Sequence, residues 1–78
     1  MARFCLHIRD GETRLDDTDG IEAADLNLAL EEAALSAREI LAELVVDGRA
    51  IGDRSFEIFG EDGSLLAVLP FRQELRID

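Results

Sequence analysis

The chain has 78 residues, of which 47% are hydrophobic and 33% charged, a balance typical of one small globular domain over residues 1–78 and not of a disordered chain. Acidic residues outnumber basic ones by 18 to 8, and the net charge of −10 argues against nucleic acid or an anionic membrane as a partner. No run is apolar enough for a signal peptide or a membrane span, and the single cysteine is typical of a reducing compartment, so we expect a cytoplasmic protein.

The N-terminal residues predict a β-hairpin. Apolar and polar residues alternate from position 3 onward, which predicts a strand near 2–9. Asp10-Gly11 is a favoured two-residue type I′ turn, so a second strand is expected near 12–17. In this register Leu6 lies opposite Leu15, and both belong to the apolar face. An acidic stretch then leads to the next element.

A long helix is predicted from about residue 25 to residue 47. Asp25 is suited to the N-cap, and Gly48 to the position that follows the last helical turn. One apolar stripe along this helix suffices for a single core. A second apolar stripe lies about 160–200° around the helix and suggests another covered surface. Its large residues are Leu28, Leu35 and Val46.

A second hairpin is predicted after the helix. Strands near 54–60 and 64–71 flank Asp62-Gly63, and a two-residue turn there sets Phe56 opposite Leu69 on the inner face. The opposite face of this hairpin is more apolar than solvent exposure favours. Its large apolar residues are Phe59, Leu66 and Val68.

The order of these elements, β-β-α-β-β, predicts an α+β fold. The simplest arrangement is one antiparallel-type sheet of two hairpins, with a single long helix packed on one face. The pattern leaves the order of the strands within the sheet open.

Residues that could carry chemistry are few. His7 and Arg9 share one strand face and form the candidate polar site. Cys5 lies about 6.5–7 Å from His7 along the strand, too far for direct activation of its thiol. One cysteine and one histidine cannot complete a structural zinc site, and the acidic loop has leucine (Leu15 and Leu26) where a calcium-binding loop has its first and last acidic ligands. We therefore expect the protein to have no enzymatic activity and to bind neither a cofactor nor a metal.

Several short motifs together resemble a family of small stand-alone bacterial proteins of unknown function. They are Phe4-x-Leu6-His7-Ile8-Arg9-Asp10-Gly11, Asp17-x-x-Gly20-x-Glu22, Ser36-Ala37-Arg38-Glu39, Glu61-Asp62-Gly63 and Leu69-Pro70-Phe71. This resemblance covers nearly the whole chain and implies a compact α+β domain, with no known activity or site. The segment Leu26–Ala34 also resembles the helix of HicB-type antitoxins. The Pro-Gly turn and the DNA-binding segment of those proteins are missing, so this second resemblance implies protein binding only.

Three functional hypotheses follow. The first is a small acidic, non-catalytic protein-interaction module that forms a homodimer through one of the two apolar surfaces. The alternative is an antitoxin-like or inhibitory partner of a basic protein. The third is an enzyme or ligand-binding protein centred on His7 and Arg9. Neither nucleic acid nor a membrane is expected as a partner.

Overall fold

The computed structural model describes residues 1–75 and confirms the predicted α+β class. The elements are β1 (Ala2–Asp10), β2 (Thr13–Leu15), β3 (Ile21–Ala23), α1 (Leu26–Val46), β4 (Ser55–Phe59), β5 (Leu65–Pro70) and a 3-10 helix (Phe71–Glu74). The five strands form one antiparallel sheet in the order β2-β1-β4-β5, with β3 also paired to β1, and the helix α1 packs against one face.

The first hairpin turns one position later than predicted. Asp10 pairs with Thr13, so the two-residue loop is Gly11-Glu12. Within residues 1–75 a positive φ occurs only at glycines, and Gly11 has a φ of 62°. This suits a type II′ turn, which requires a positive φ only at its first central residue. The predicted type I′ turn was wrong because it would place Asp10 in the left-handed region as well.

The shifted turn changes the register and shortens the second strand. Leu15 lies opposite Ile8 instead of Leu6, and β2 ends there instead of continuing to residue 17. The chain then returns to the other end of β1 as a third strand, which sequence analysis missed. Between these two pairings the carboxylate of Asp17 accepts the N–H of Leu6 at 3.0 Å. One edge of β1 is thus covered by β2, a side chain and β3 in turn.

The second hairpin keeps the predicted register with a different loop. Phe56 lies opposite Leu69, as predicted. The loop has three residues, 61–63, because the N–H of Gly60 donates to the C=O of Ser64 at 2.9 Å. A bulge near the end of β4 then absorbs the extra residue and restores the predicted pairing.

The helix α1 begins and ends where its capping residues predict. The side chain of Asp25 accepts the N–H of Leu28 at 3.0 Å at the first turn. Gly48 has a φ of 67°, and the N–H groups of Gly48 and Arg49 donate to carbonyls of the last helical turn. These two bonds form a Schellman motif, which glycine favours because it has no Cβ atom.

The core lies between α1 and the inner face of the sheet. Ala29, Ala33 and Ala37 recur every four residues and are fully buried, so their small side chains let the helix lie close to the sheet. The larger core side chains come from β1, β4, α1 and the 3-10 helix. They are Phe4, Phe56, Ile58, Leu41 and Phe71.

Candidate interaction surfaces

The candidate polar site, His7 and Arg9, is occupied by structural contacts. The Nδ1 atom of His7 accepts the N–H of Asp17 at 2.8 Å, and its ring packs against that of Phe59 with centroids 5.1 Å apart. Arg9 instead faces Glu57, with the closest nitrogen and oxygen atoms 3.4 Å apart. The two residues therefore share a sheet face but hold different partners. Neither is among the residues that line the cleft at the C-terminal end of α1, which is described below.

The acidic loop before β3 is built around Asp17. Its carboxylate accepts the N–H groups of Leu6, Asp19 and Gly20 at 3.0–3.2 Å. Burial acts to raise the pKa of Asp17, but these hydrogen bonds, with His7 nearby, lower the pKa below its usual value. Within residues 1–75 no group of three or more metal-ligating side chains occurs. The loop thus has a visible structural role, which is to join the two short edge strands to β1.

The second helix stripe is exposed, as its position predicted. Leu28 and Leu35 are about half exposed, and Val46 is 84% exposed. The rise of a helix separates Leu28 from Leu35 by about 10 Å, which is two turns along the same side of α1. Acidic residues border the stripe and give its surroundings a negative charge. They are Glu31, Glu32 and Glu39.

The apolar sheet surface differs in detail from the predicted one. Phe59 is half-buried, because the ring of His7 lies against it and the guanidinium of Arg14 lies 5.9 Å from its centroid. Leu66 and Val68 are exposed, and so is Leu65, which sequence analysis did not select. The bulge explains the omission, since it places Leu65 instead of Leu66 opposite Phe59.

A cleft of about 380 Å³ lies at the C-terminal end of α1. Its apolar walls come from the sheet, the helix and the 3-10 helix, and include Ile8, Leu15 and Phe71. Acidic and basic residues line its rim: Asp10, Glu43, Asp47, Arg49 and Arg54. The sequence patterns do not indicate this cleft, because its lining comes from segments far apart in the chain.

The guanidinium of Arg54 is already bound within the protein. Its Nη1 atom donates to the carbonyls of Ala50 and Ile51 at 2.8 and 2.7 Å, and its Nη2 atom lies 3.4 Å from a carboxylate oxygen of Asp10. Glu43 and Asp47 lie at the negative end of the helix dipole. These two acids and the helix dipole therefore favour a positively charged group beside them, and Arg49 is one such group already in the lining of the cleft.

Fold and surfaces together define a small α+β domain with exposed apolar side chains on two sides. The chain belongs to the family described as Domain of unknown function (DUF6894), whose model matches residues 3–72. This confirms the predicted resemblance to a family of unknown function, whereas the likeness to HicB-type antitoxins is not shown. No curated protein and no solved structure matches the chain. Among the described helices, none has the length and apolar character needed to cross a membrane.

Proposed function

We propose that this protein is a small, non-catalytic interaction module that forms a homodimer in the cytoplasm. The observation that carries the proposal is the set of large apolar side chains left uncovered on the helix and on the sheet. Isolated exposed leucines are common, but groups of them in so short a chain suggest a contact surface. They are Leu28, Leu35, Val45 and Val46 on α1, and Leu65, Leu66 and Val68 on β5.

The composition of the core supports the same proposal. The helix contributes three fully buried alanines where larger residues would bury more apolar area. Domains of this size rarely obtain more than about 3–5 kcal/mol from a single core, and a disulfide cannot add to it because Cys5 is the only cysteine. Association with a second copy would stabilise the fold by burying further apolar area.

Sedimentation equilibrium over the micromolar range tests the proposal directly. The monomer has a mass of 8.6 kDa, and we expect the fitted mass to approach twice that value as the concentration rises. A dimer with a micromolar Kd corresponds to an association free energy of about −8 kcal/mol. A mass that stays at the monomer value throughout this range would refute self-association.

A second candidate function, inhibitory binding to a basic protein, is favoured by the cleft at the end of α1. Glu43 and Asp47 add negative charge where the helix dipole is already negative. If they bind a basic partner, Glu43→Gln with Asp47→Asn should weaken capture of that partner from a host lysate. Glu31→Gln with Glu32→Gln removes the same charge elsewhere on α1 and should have a smaller effect.

Salt dependence provides the second arm of this test. Capture that depends on these carboxylates should be lost above about 0.5 M salt, where charges are screened over a few ångströms. If both double variants weaken capture equally, the net charge of −10 is sufficient and the cleft has no specific role.

A further inference from the structure

His7, the one histidine of the chain, lies where the edge of β1 changes its partner. Residues 8–10 of β1 pair with β2, and residues 2–4 pair with β3. Between these pairings the side chain of His7 lies on the outer face of the sheet with 15% of its surface exposed. Histidine changes its charge between about pH 5 and 8, so a contact made by this ring can depend on pH.

The hydrogen bond between His7 and the loop after β2 requires a neutral ring. The backbone N–H of Asp17 donates to Nδ1 of His7 at 2.8 Å. A backbone N–H can only donate, so Nδ1 must present a lone pair, and the proton of the neutral ring is on Nε2. In the imidazolium, Nδ1 also carries a proton, and two donors would face each other. Protonation of His7 therefore breaks this bond.

A second partner for the charged ring lies beside the first. The Oδ1 atom of Asp16 is 3.8 Å from the same Nδ1 atom. This separation is too long for a hydrogen bond, but a movement of about 1 Å would form one. Asp16 already accepts Nε of Arg14 at 2.7 Å, and a carboxylate can accept several N–H groups. Each form of the ring thus has its own partner: a backbone N–H for the neutral form and a carboxylate for the charged form.

The other titratable or charged groups around His7 come from β1, β2, β4 and the loop after β2. They are Cys5, Arg9, Arg14, Asp16, Asp17 and Glu57. Each guanidinium lies against a carboxylate, at 3.4 Å for Arg9 with Glu57 and at 2.7 Å for Arg14 with Asp16. These pairs balance in charge, and the carboxylate of Asp17 attracts a positive ring. The surroundings therefore accept a charge on His7, and only the N–H at Nδ1 opposes it.

Asp17 is attached to β1 at two points, and only one of them depends on the charge of His7. Its N–H is bound by the ring, and its carboxylate accepts the N–H of Leu6 at 3.0 Å. Because the pKa of Asp17 lies below its usual value, this carboxylate stays ionised while histidine titrates. Protonation of His7 therefore releases one attachment and leaves the other, which moves the loop without detaching it from the sheet.

We propose that His7 is a pH-sensitive switch for the loop between β2 and β3. The neutral ring holds the backbone of Asp17 against β1. The protonated ring releases that N–H and donates from Nδ1 to the carboxylate of Asp16. Leu15, two residues before Asp17, lines the cleft at the end of α1, so the movement begins beside one wall of that cleft. The switch does not depend on the self-association proposed above.

Nuclear magnetic resonance tests the switch on the wild-type chain, and a single histidine makes the ring signals unambiguous. At about pH 8, a long-range ¹H–¹⁵N spectrum should show the proton on Nε2 and an unprotonated Nδ1. As the ring becomes protonated, the protection factor of the Asp17 amide proton should fall about fivefold, because one hydrogen bond is lost. The Leu6 amide is the internal control and should keep its protection, since its acceptor is the carboxylate of Asp17.

His7→Asn separates the switch from other effects of acid. Asparagine can place its amide oxygen near the position of Nδ1 and does not titrate. The Asp17 amide should therefore keep one protection factor over the whole range in this variant, while the wild type loses protection.

Asp16→Asn tests the second partner. It removes the carboxylate to which the charged ring turns, so a lower pH should be needed for the same loss of Asp17 protection. Asp19→Asn removes one charge from the same loop and is the matched control, which should leave that pH unchanged.

Several results would overturn the switch. Constant protection of Asp17 while the ring becomes protonated would do so, and so would a neutral ring with its proton on Nδ1. The same loss of protection in His7→Asn would assign the effect to another group. Equal effects of Asp16→Asn and Asp19→Asn would exclude Asp16 as the partner of the charged ring. Loss of the helical far-UV circular dichroism over the same pH range would mean unfolding of the domain in place of a local movement.

Discussion

Replacing Asp17 by Asn should destabilise the fold more than the loss of one surface charge implies. The carboxylate accepts three backbone N–H groups through two oxygens, whereas an amide has one acceptor oxygen and presents an NH₂ group in place of the other. The N–H of Leu6 would then face another donor. Since a hydrogen bond to a charged group contributes about 1.5–3 kcal/mol, we expect a loss of about 2 kcal/mol.

This loss is a large part of the stability expected for the chain. A domain of 78 residues with a single core has an unfolding free energy of about 3–5 kcal/mol, and a change of 1 kcal/mol moves the Tm of a small domain by about 4–8 °C. Urea denaturation followed by far-UV circular dichroism is the suitable assay, because the chain has neither tryptophan nor tyrosine. The matched control is Asp19→Asn, which removes one charge from the same loop and breaks none of the carboxylate hydrogen bonds described here.

The pH dependence gives this prediction a second test. Because folding lowers the pKa of Asp17, its ionised form contributes stability that is fully present above the unfolded pKa of about 3.9. That contribution is lost as the pH falls through the folded pKa. The difference between wild type and Asp17→Asn should therefore shrink as the pH is lowered from 7 into the acid range. A difference that is independent of pH, or one matched by Asp19→Asn, would refute the reasoning.

Three further predictions concern packing and turns, and urea denaturation measures each. Ala33→Leu should cost about 1–3 kcal/mol by overpacking a fully buried site, whereas Ala42→Leu on the exposed side should change stability by less than about 0.5 kcal/mol. Gly20→Ala should destabilise more than Gly48→Ala: both have a positive φ, but only at Gly20 would the new Cβ lie 2.9 Å from a backbone oxygen of β1. Phe71→Ala should cost about 3–5 kcal/mol, since its ring is fully buried, and a loss below 1 kcal/mol would contradict its place in the core.

Local patterns were sufficient for the helix and for the second hairpin. The cap at Asp25, the glycine at position 48 and the spacing of apolar residues between them depend on neighbours along the chain, and the observed helix agrees with them. The pairing of Phe56 with Leu69 was also predicted correctly, although the loop that produces it is longer than expected. Register there is set by which side chains must face the core, and a bulge can adjust the loop to it.

The first hairpin shows where local patterns were insufficient. Asp10-Gly11 and Gly11-Glu12 both offer a two-residue turn around one glycine, and only the second confines the positive φ to that glycine. The strand at 21–23 has only three residues and no alternation long enough to recognise. It forms because β1 leaves part of its edge free, which is a property of the assembled sheet.

The candidate surfaces also differ in whether local sequence patterns could predict them. Exposure of Leu28, Leu35 and Val46 could be predicted because a helix of known phase determines which residues oppose its core side. The cleft at the end of α1 and the uncharged edge at β5 could not, because each depends on which elements become neighbours in space.

By itself, the sequence determined the fold class, the extent of the helix and the inner face of the second hairpin, since these follow from periodicity and capping between residues close in the chain. Only the tertiary structure decided the strand order, the third short strand and the exposed edge at β5. These features depend on backbone hydrogen bonds between distant segments, and backbone groups are the same in every residue except proline, so side-chain patterns do not specify them.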